Sequence, residues 1–365
     1  MSLARRNLIQ DKTRFALSVT GVALAVMLIL ILSGFVNGMY RQISAYLDHT
    51  PGSIVVAQDG VRNLLGATSL LPADMEAPVR TRGAAQVVPI LSQFAILDLH
   101  DKKVPVYLVG YEPKTGGGPW QLAAGREPRN DKEAIFDRVL AQRHDLGLGD
   151  TVKILDRDFT IVGLSDGTAS WMTSFVFVRK TALEALLRAP GATSFLLVTP
   201  SERVGDDELR RRLSDLSGIE VTPKATVIAN DLNLYGGVFS GPLRLMVAIA
   251  FLVGTLVVGL VIYTATIERQ REYGVLKAIG ARNGLLYRTV TTQALIASGA
   301  GSILGVGLAF GLAQRIMTSQ PHVLSVFESS AVIQSLLAGL AMALFAAWFP
   351  ARVIARLAPA EVFRK

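Results

Sequence analysis

Four stretches of this 365-residue chain run without a charged side chain for the length of a membrane crossing, and no other feature limits its fold as strongly. A helix that spans the roughly 30 Å hydrocarbon core needs about 20 consecutive apolar residues. Phe15–Tyr40 lies between Arg14 and Arg41, Leu245–Ile267 between Arg244 and Glu268, Thr289–Gln314 between Arg288 and Arg315, and Ser329–Pro350 between Glu328 and Arg352. Buried core helices of a soluble protein do not come as four such runs. The expected fold class is an α-helical membrane protein with four transmembrane helices plus an α+β extracytoplasmic domain.

The chain carries 37 Lys and Arg against 29 Asp and Glu, a net charge of +8, yet only 18% of its residues are charged. A nucleic-acid-binding surface spreads its basic residues over a polar face. Here they bunch at the ends of the apolar runs, which argues for membrane topology and against nucleic acid as a partner. Arg5, Arg6, Lys12 and Arg14 precede the first run. Arg269, Arg271, Lys277, Arg282 and Arg288 lie between the second and third, and Arg352, Arg356, Arg364 and Lys365 follow the fourth. Basic loops stay on the cytoplasmic side. Both termini and the loop 268–288 are therefore expected inside, and the segment 41–244 outside.

The expected order is a cytoplasmic segment 1–14, spans 15–40, 245–267, 289–314 and 329–350, an extracytoplasmic domain 41–244, a cytoplasmic loop 268–288, a short outside loop 315–328 and a cytoplasmic tail 351–365. The first run also has the basic leader of a signal peptide. It is longer than the usual h-region and lacks an evident cleavage site, so an uncleaved anchor is expected, with a cleaved leader as the alternative. Gly34 and Gly38, Gly301 and Gly305, and Gly307 and Gly311 are each spaced four apart within the spans. That spacing puts both members of a pair on one helix face and suits close helix packing.

Within 41–244 short strand and helix patterns alternate, as in an α+β domain. Strands are expected at Ser53–Ala57, Phe175–Val178 and Ser194–Val198. Hairpins are expected where Phe94–Leu99 meets Val104–Gly110 and where Thr151–Leu155 meets Phe159–Leu164. Helices are expected at Glu133–Leu146, Thr181–Leu187 and Asp206–Leu216.

No catalytic constellation is legible. His49, His100, His144 and His322 lack metal-ligand spacing, and with no Cys in the chain there are neither disulfides nor thiolate sites. Ser165 and Ser170 lack the setting of a nucleophile elbow. Thr115-Gly-Gly-Gly118 runs into Pro119 and reads as a flexible loop rather than a phosphate cradle. Trp120 and Trp171 read as packed aromatics, with partner contact as the alternative. A P-loop requires a Gly-Lys step, and the sequence contains none. The expectation is no catalytic, cofactor or metal site, and ATP use only through another polypeptide.

Glu268-Arg-Gln-Arg-Glu-Tyr-Gly-Val-Leu-Lys-Ala-Ile-Gly280 sits between the second and third spans. Glu268, Arg269, Arg271 and Glu272 can pair along one helix, and Lys277 lies further along the same segment. Val275, Leu276 and Ile279 form an apolar stripe, and Gly280 ends the helix. The stripe suits either a partner's groove or the membrane surface, and spacing alone does not choose between them.

This loop, the closing Pro350-Ala-Arg-Val-Ile-Ala-Arg-Leu-Ala-Pro-Ala-Glu-Val-Phe-Arg364, and the layout of one span, a large outside domain and three further spans together resemble the MacB/FtsX-type permeases of ABC transporters. Leu148-Gly-Asp-Thr-Val-Lys-Ile154 followed by Phe159-Thr-Ile-Val-Gly163 is similar to that family's outside domain. The loop resembles the family pattern E-R-x-x-E-I-G-x-L-R-A-x-G-A, from which Tyr273 departs. Ala360 and Val362 depart from the tail pattern. Asp11-Lys-Thr-Arg-Phe15 and the lack of a fused ATPase resemble the DevC-like branch. The resemblance implies a bacterial inner-membrane homodimer docked through the loop onto separate ATPase subunits that bind ATP and Mg. A periplasmic membrane-fusion adaptor is a further implied partner. The implied function is an exporter that transmits ATP-driven motion to its outside domain, acting on a lipid, lipoprotein, peptide or small molecule. A lipoprotein-releasing permease and a regulatory subunit controlling cell-wall hydrolases are the alternatives.

Overall fold

The computed structural model describes residues 12–169, 173–268, 270–279, 281–320 and 324–356. The chain divides into two compact units, one built from Met39–Val238 and the other from the chain up to Gly38, Phe239–Gln320 and the chain from Ser325 onward.

The Met39–Val238 unit is organised on a ten-stranded sheet. Its strands are β1 (Ile54–Gln58), β2 (Ala84–Leu99), β3 (Lys102–Tyr111), β4 (Leu122–Gly125), β5 (Glu133–Asp137), β6 (Thr151–Ile154), β7 (Arg157–Ser165), β8 (Ser174–Arg179), β9 (Phe195–Pro200) and β10 (Ile219–Pro223). They lie in the order β10-β1-β9-β2-β3-β8-β5-β7-β4, with β6 paired to β7. The hairpins β2–β3 and β6–β7 form where alternation and turn residues predict them. The β3–β8 and β5–β7 pairs are parallel. Apolar side chains pack on both faces. Leu91, Leu97, Phe136, Phe159 and Leu183 belong to one core, and Val88, Tyr107, Phe175, Phe177 and Phe195 to another.

Three short helices α2 (Glu76–Thr81), α3 (Arg138–Arg143) and α4 (Lys180–Leu187), together with α5 (Asp206–Ser214), flank the sheet. The helix expected over Glu133–Leu146 is instead a strand followed by a helix. All five residues of β5 are buried, and β5 pairs with both β7 and β8. A strand buried on both faces has no alternation to mark it. Asp137 then caps α3 by accepting the backbone N–H of Leu140 at 2.9 Å, which stops the helix from starting earlier.

Four long helices complete the chain: α1 (Lys12–His49), α6 (Lys224–Glu268), α8 (Asn283–Ser319) and α9 (Ser329–Arg356), with the short α7 (Gln270–Ala278) between α6 and α8. Within them Phe15–His49, Gly241–Glu268, Asn283–Ser319 and Ser329–Arg352 are long and apolar enough to cross a membrane. In the second unit these helices meet through small side chains such as Ala294, Ala343, Ala346 and Ala347. Large ones point outward: Leu252, Leu256, Leu260, Ile303 and Phe345 are each more than half exposed. Small residues at the contacts let the helix backbones approach closely. Both α1 and α6 outrun the apolar stretches expected at 15–40 and 245–267, because their extra turns carry side chains that pack in the sheet unit.

Candidate functional site

Two sets of residues stand out: the short helix α7 and the anchors that fix the ends of α1 and α6 into the sheet.

On α7 the exposed residues Arg271, Glu272 and Val275, with Ile279 immediately beyond the helix, fall on one face at helical spacing. Val275 is 45% and Ile279 76% exposed. The backbone continues the helical pattern past Ala278, with Ile279 N–H donating to the Val275 carbonyl at 3.1 Å. Gly274 is buried on the opposite side and Lys277 is half-buried. Glu268 closes α6 and Leu276 belongs to the α7 backbone. The structure thus brings Val275 and Ile279 together as sequence spacing expects. Arg269, Gly280 and the side chain of Leu276 lie outside the described residues, as do Ser170, Trp171, His322 and the tail from residue 357.

The anchors escaped sequence reasoning. Near the end of α1, Tyr46 is 1% exposed and stacks on Phe175 with ring centroids 5.4 Å apart. Its hydroxyl donates to the Gly117 carbonyl at 2.7 Å. The glycine run at 116–118 is therefore not a free loop. Gly117 adopts φ +86°, and a Cβ there would meet Ile90 Cγ2 at 2.8 Å, so only glycine lets the chain lie this close.

At the start of α6, Lys224 donates to the Thr50 carbonyl at 2.9 Å, satisfying an acceptor just past the end of α1. Two turns on, Asp231 is 2% exposed. Its carboxylate accepts the N–H groups of Leu64 at 3.1 Å and Leu65 at 3.3 Å, and the Asn63 amide at 3.4 Å. Burial raises its pKa, opposed by those same N–H donors. Tyr235 donates to the Leu65 carbonyl at 3.1 Å and Asn230 to that of Arg62 at 3.0 Å. From the sheet side, Tyr107 of β3 donates to the Leu64 carbonyl at 2.7 Å. Residues 62–65 are thus a strap with α6 on one side and β3 on the other. Asn, Asp and Tyr at 230, 231 and 235, just ahead of a long apolar run, were the available signal.

The glycine pairs divide. A Cβ on Gly301 would meet the Val19 carbonyl oxygen at 2.7 Å, and one on Gly305 that of Ala23 at 2.5 Å, so both sit against the α1 backbone. Gly34 faces the ring of Phe327, and its carbonyl accepts Val326 N–H at 2.9 Å; Gly38 is buried. Among the described residues nothing lies within 4 Å of a Cβ added to Gly307 or Gly311. Among the described residues no group of three or more His, Asp or Glu could hold a metal ion.

Residues 15–216 match the family model of the MacB-like periplasmic core domain, and residues 244–359 that of the FtsX-like permease C-terminal region. The chain is 24% identical, over 93% of its own length and of its relative's, to an uncharacterized ABC transporter permease of Mycobacterium tuberculosis (strain ATCC 25618 / H37Rv). It is 23% identical, over 89% of each chain, to the putative hemin transport system permease protein HrtB of Staphylococcus haemolyticus. The periplasmic region of MacB from Actinobacillus actinomycetemcomitans superposes with a TM-score of 0.37 at 15% identity, covering 50% of this chain and 94% of that one.

Proposed function

The chain belongs to the MacB/FtsX-type permeases of ABC transporters, and from that premise we propose that it carries ATP-driven motion from a separate ATPase subunit to its sheet domain. The partner follows from the family, since ABC permeases work with ABC ATPases. The chain adds no P-loop of its own. In this reading α7 docks on the ATPase, two copies of the permease pair with two ATPases in a bacterial inner membrane, and both termini face the cytoplasm. A periplasmic adaptor completes an export route for a lipid, lipoprotein, peptide or small molecule. ATP favours the closed ATPase pair, and its differential affinity for the two states is the energy source.

The exposed apolar pair Val275 and Ile279 carries the reading. It lies on the short helix between two long apolar helices, where a partner on the loop side reaches it. The anchors at Tyr46 and Asp231 support the second half of the proposal. Within the sheet unit the ends of α1 and α6 are held to the core by hydrogen bonds and ring packing.

The test is Ile279→Asp, with Leu276→Asp alongside it. A charge at the centre of an apolar interface costs about 2 kcal/mol or more, roughly a thirtyfold loss of affinity. Both variants should insert normally but lose co-purification with the ATPase or lose transport-coupled ATP hydrolysis. Glu272→Ala should do less. Intact association and coupling in both aspartate variants would show that this face rests on lipid and not on the ATPase.

A further inference from the structure

Between α6 and α9 the second unit has an apolar cleft of about 300 Å³, lined by Leu256, Leu260 and Tyr263 from one helix and Phe345, Ala346 and Pro350 from the other. Gly259 faces Ala346 across the cleft: a Cβ there would meet it at 3.7–3.8 Å, ordinary van der Waals contact. Pro350 has no N–H, so the carbonyl of Ala346, one turn back, loses its helical donor. Phe345 is 63% exposed at the cleft mouth. Trp348 and Arg352 follow it at helical spacing on the same side of α9. Trp348 is 57% exposed, and the Arg352 guanidinium lies over its ring, 4.0 Å from the centroid.

Depth makes these features one site. The 24-residue stretch Ser329–Arg352 is roughly 36 Å long at about 1.5 Å per residue, against a hydrocarbon core of about 30 Å. Arg352 therefore reaches the headgroup level, with Trp348 and Tyr263 in the interfacial zone that such side chains favour. The cleft extends from there into the hydrocarbon. An indole under the guanidinium holds it in place without neutralising it, so its donors remain available to a phosphate.

We propose that this cleft binds one anionic phospholipid, with an acyl chain between α6 and α9 and the phosphate on Arg352. Net charge selects the occupant: the phosphate of a zwitterionic lipid is balanced by its own ammonium group, so an anionic phospholipid gains more from the guanidinium. The proposal rests on reading the apolar helices as membrane spans. It does not depend on which ATPase surface α7 meets.

The experiment is native mass spectrometry of the full-length protein in detergent, challenged with equal amounts of phosphatidylglycerol and phosphatidylcholine of identical chains. The wild type should retain the anionic lipid about fivefold better, the worth of one basic residue at a lipid surface. Arg352→Gln should abolish that preference while still retaining lipid of both kinds. Gly259→Leu, which puts a side chain into the cleft, should reduce retention of both. Equal retention of the two lipids by the wild type, or a preference that survives Arg352→Gln, overturns the proposal. So does a cleft covered by a second copy, revealed by cross-linking between chains carrying Leu256→Cys and by no retained lipid. Failure of the spanning assignment shows separately: an impermeant thiol reagent applied to intact cells would treat Lys102→Cys and Arg282→Cys alike, whereas a spanning chain exposes only one of them.

Discussion

Asp231 holds the backbone N–H of Leu64 at 3.1 Å while Tyr107 holds the carbonyl of the same residue at 2.7 Å. One residue of the strap is thus gripped from α6 and from β3 at once. Asp231→Ala leaves buried donors unmet and should cost about 1.5–3 kcal/mol, the range for hydrogen bonds to a charged group. Denaturant unfolding of the fragment Arg41–Val238, which carries its own core and should fold alone, measures this. In the full protein the same change should let ATP hydrolysis proceed with weakened transport. Asn230→Ala, whose amide is on the exposed side, is the control and should change little.

The glycines of α8 should separate by position. An alanine at Gly305 needs the Ala23 carbonyl to retreat from 2.5 Å, and backbone cannot rotate away as a side chain can. Overpacking of this kind costs about 1–3 kcal/mol. Gly305→Ala should lower the thermal midpoint of the detergent-purified protein by several degrees, whereas Gly307→Ala and Gly311→Ala, with open space around them, should leave it unchanged or slightly raised. A drop at Gly307 equal to that at Gly305 would mean that α8 is packed on both faces.

Acid should loosen the β5 end of the sheet. Glu133 receives a two-pronged contact from Arg126 at 2.7 and 2.8 Å, the Arg129 N–H at 2.7 Å and the Asn130 amide at 2.9 Å. The Arg126 hydrogen bonds come first among the causes that lower its pKa from 4.5 to about 2. Because the folded value is the lower one, the stabilisation is fully present above about 4.5 and is lost as pH falls toward 2. In Glu133→Gln, the slope of fragment stability with pH should flatten over that window. An unchanged slope would assign the acid sensitivity to other carboxylates.

The four long helices could be read from the sequence because charge-free runs of that length have few other uses. Their ends could not, since what extends α1 and α6 is tertiary: Tyr46 and Asp231 are polar residues that become helical and buried only because the sheet receives them. The same cause hid β5. Glu133-Ala-Ile-Phe-Asp137 has neither a strand's alternation nor a clear boundary, and its partners β7 and β8 lie later in the chain. On α7 the Val275–Ile279 face follows from spacing on one helix and needed no tertiary knowledge. The strap at 62–65 had no local signal, because its acceptor and donors come from residues more than forty positions away.

The pairing of β1 has a cost during biosynthesis. Ile54, Val55, Val56 and Ala57 are all buried, yet their partners are β9 and β10, among the last parts of the sheet unit to leave the ribosome. Until those strands arrive, an apolar strand with both edges open is exposed to neighbouring chains, the condition under which strands add to one another indiscriminately. Closing so long a loop is also slow. The nascent protein therefore passes through an interval of vulnerability that the finished sheet conceals. Holding factors that shield extended apolar segments are the helpers such a topology calls for.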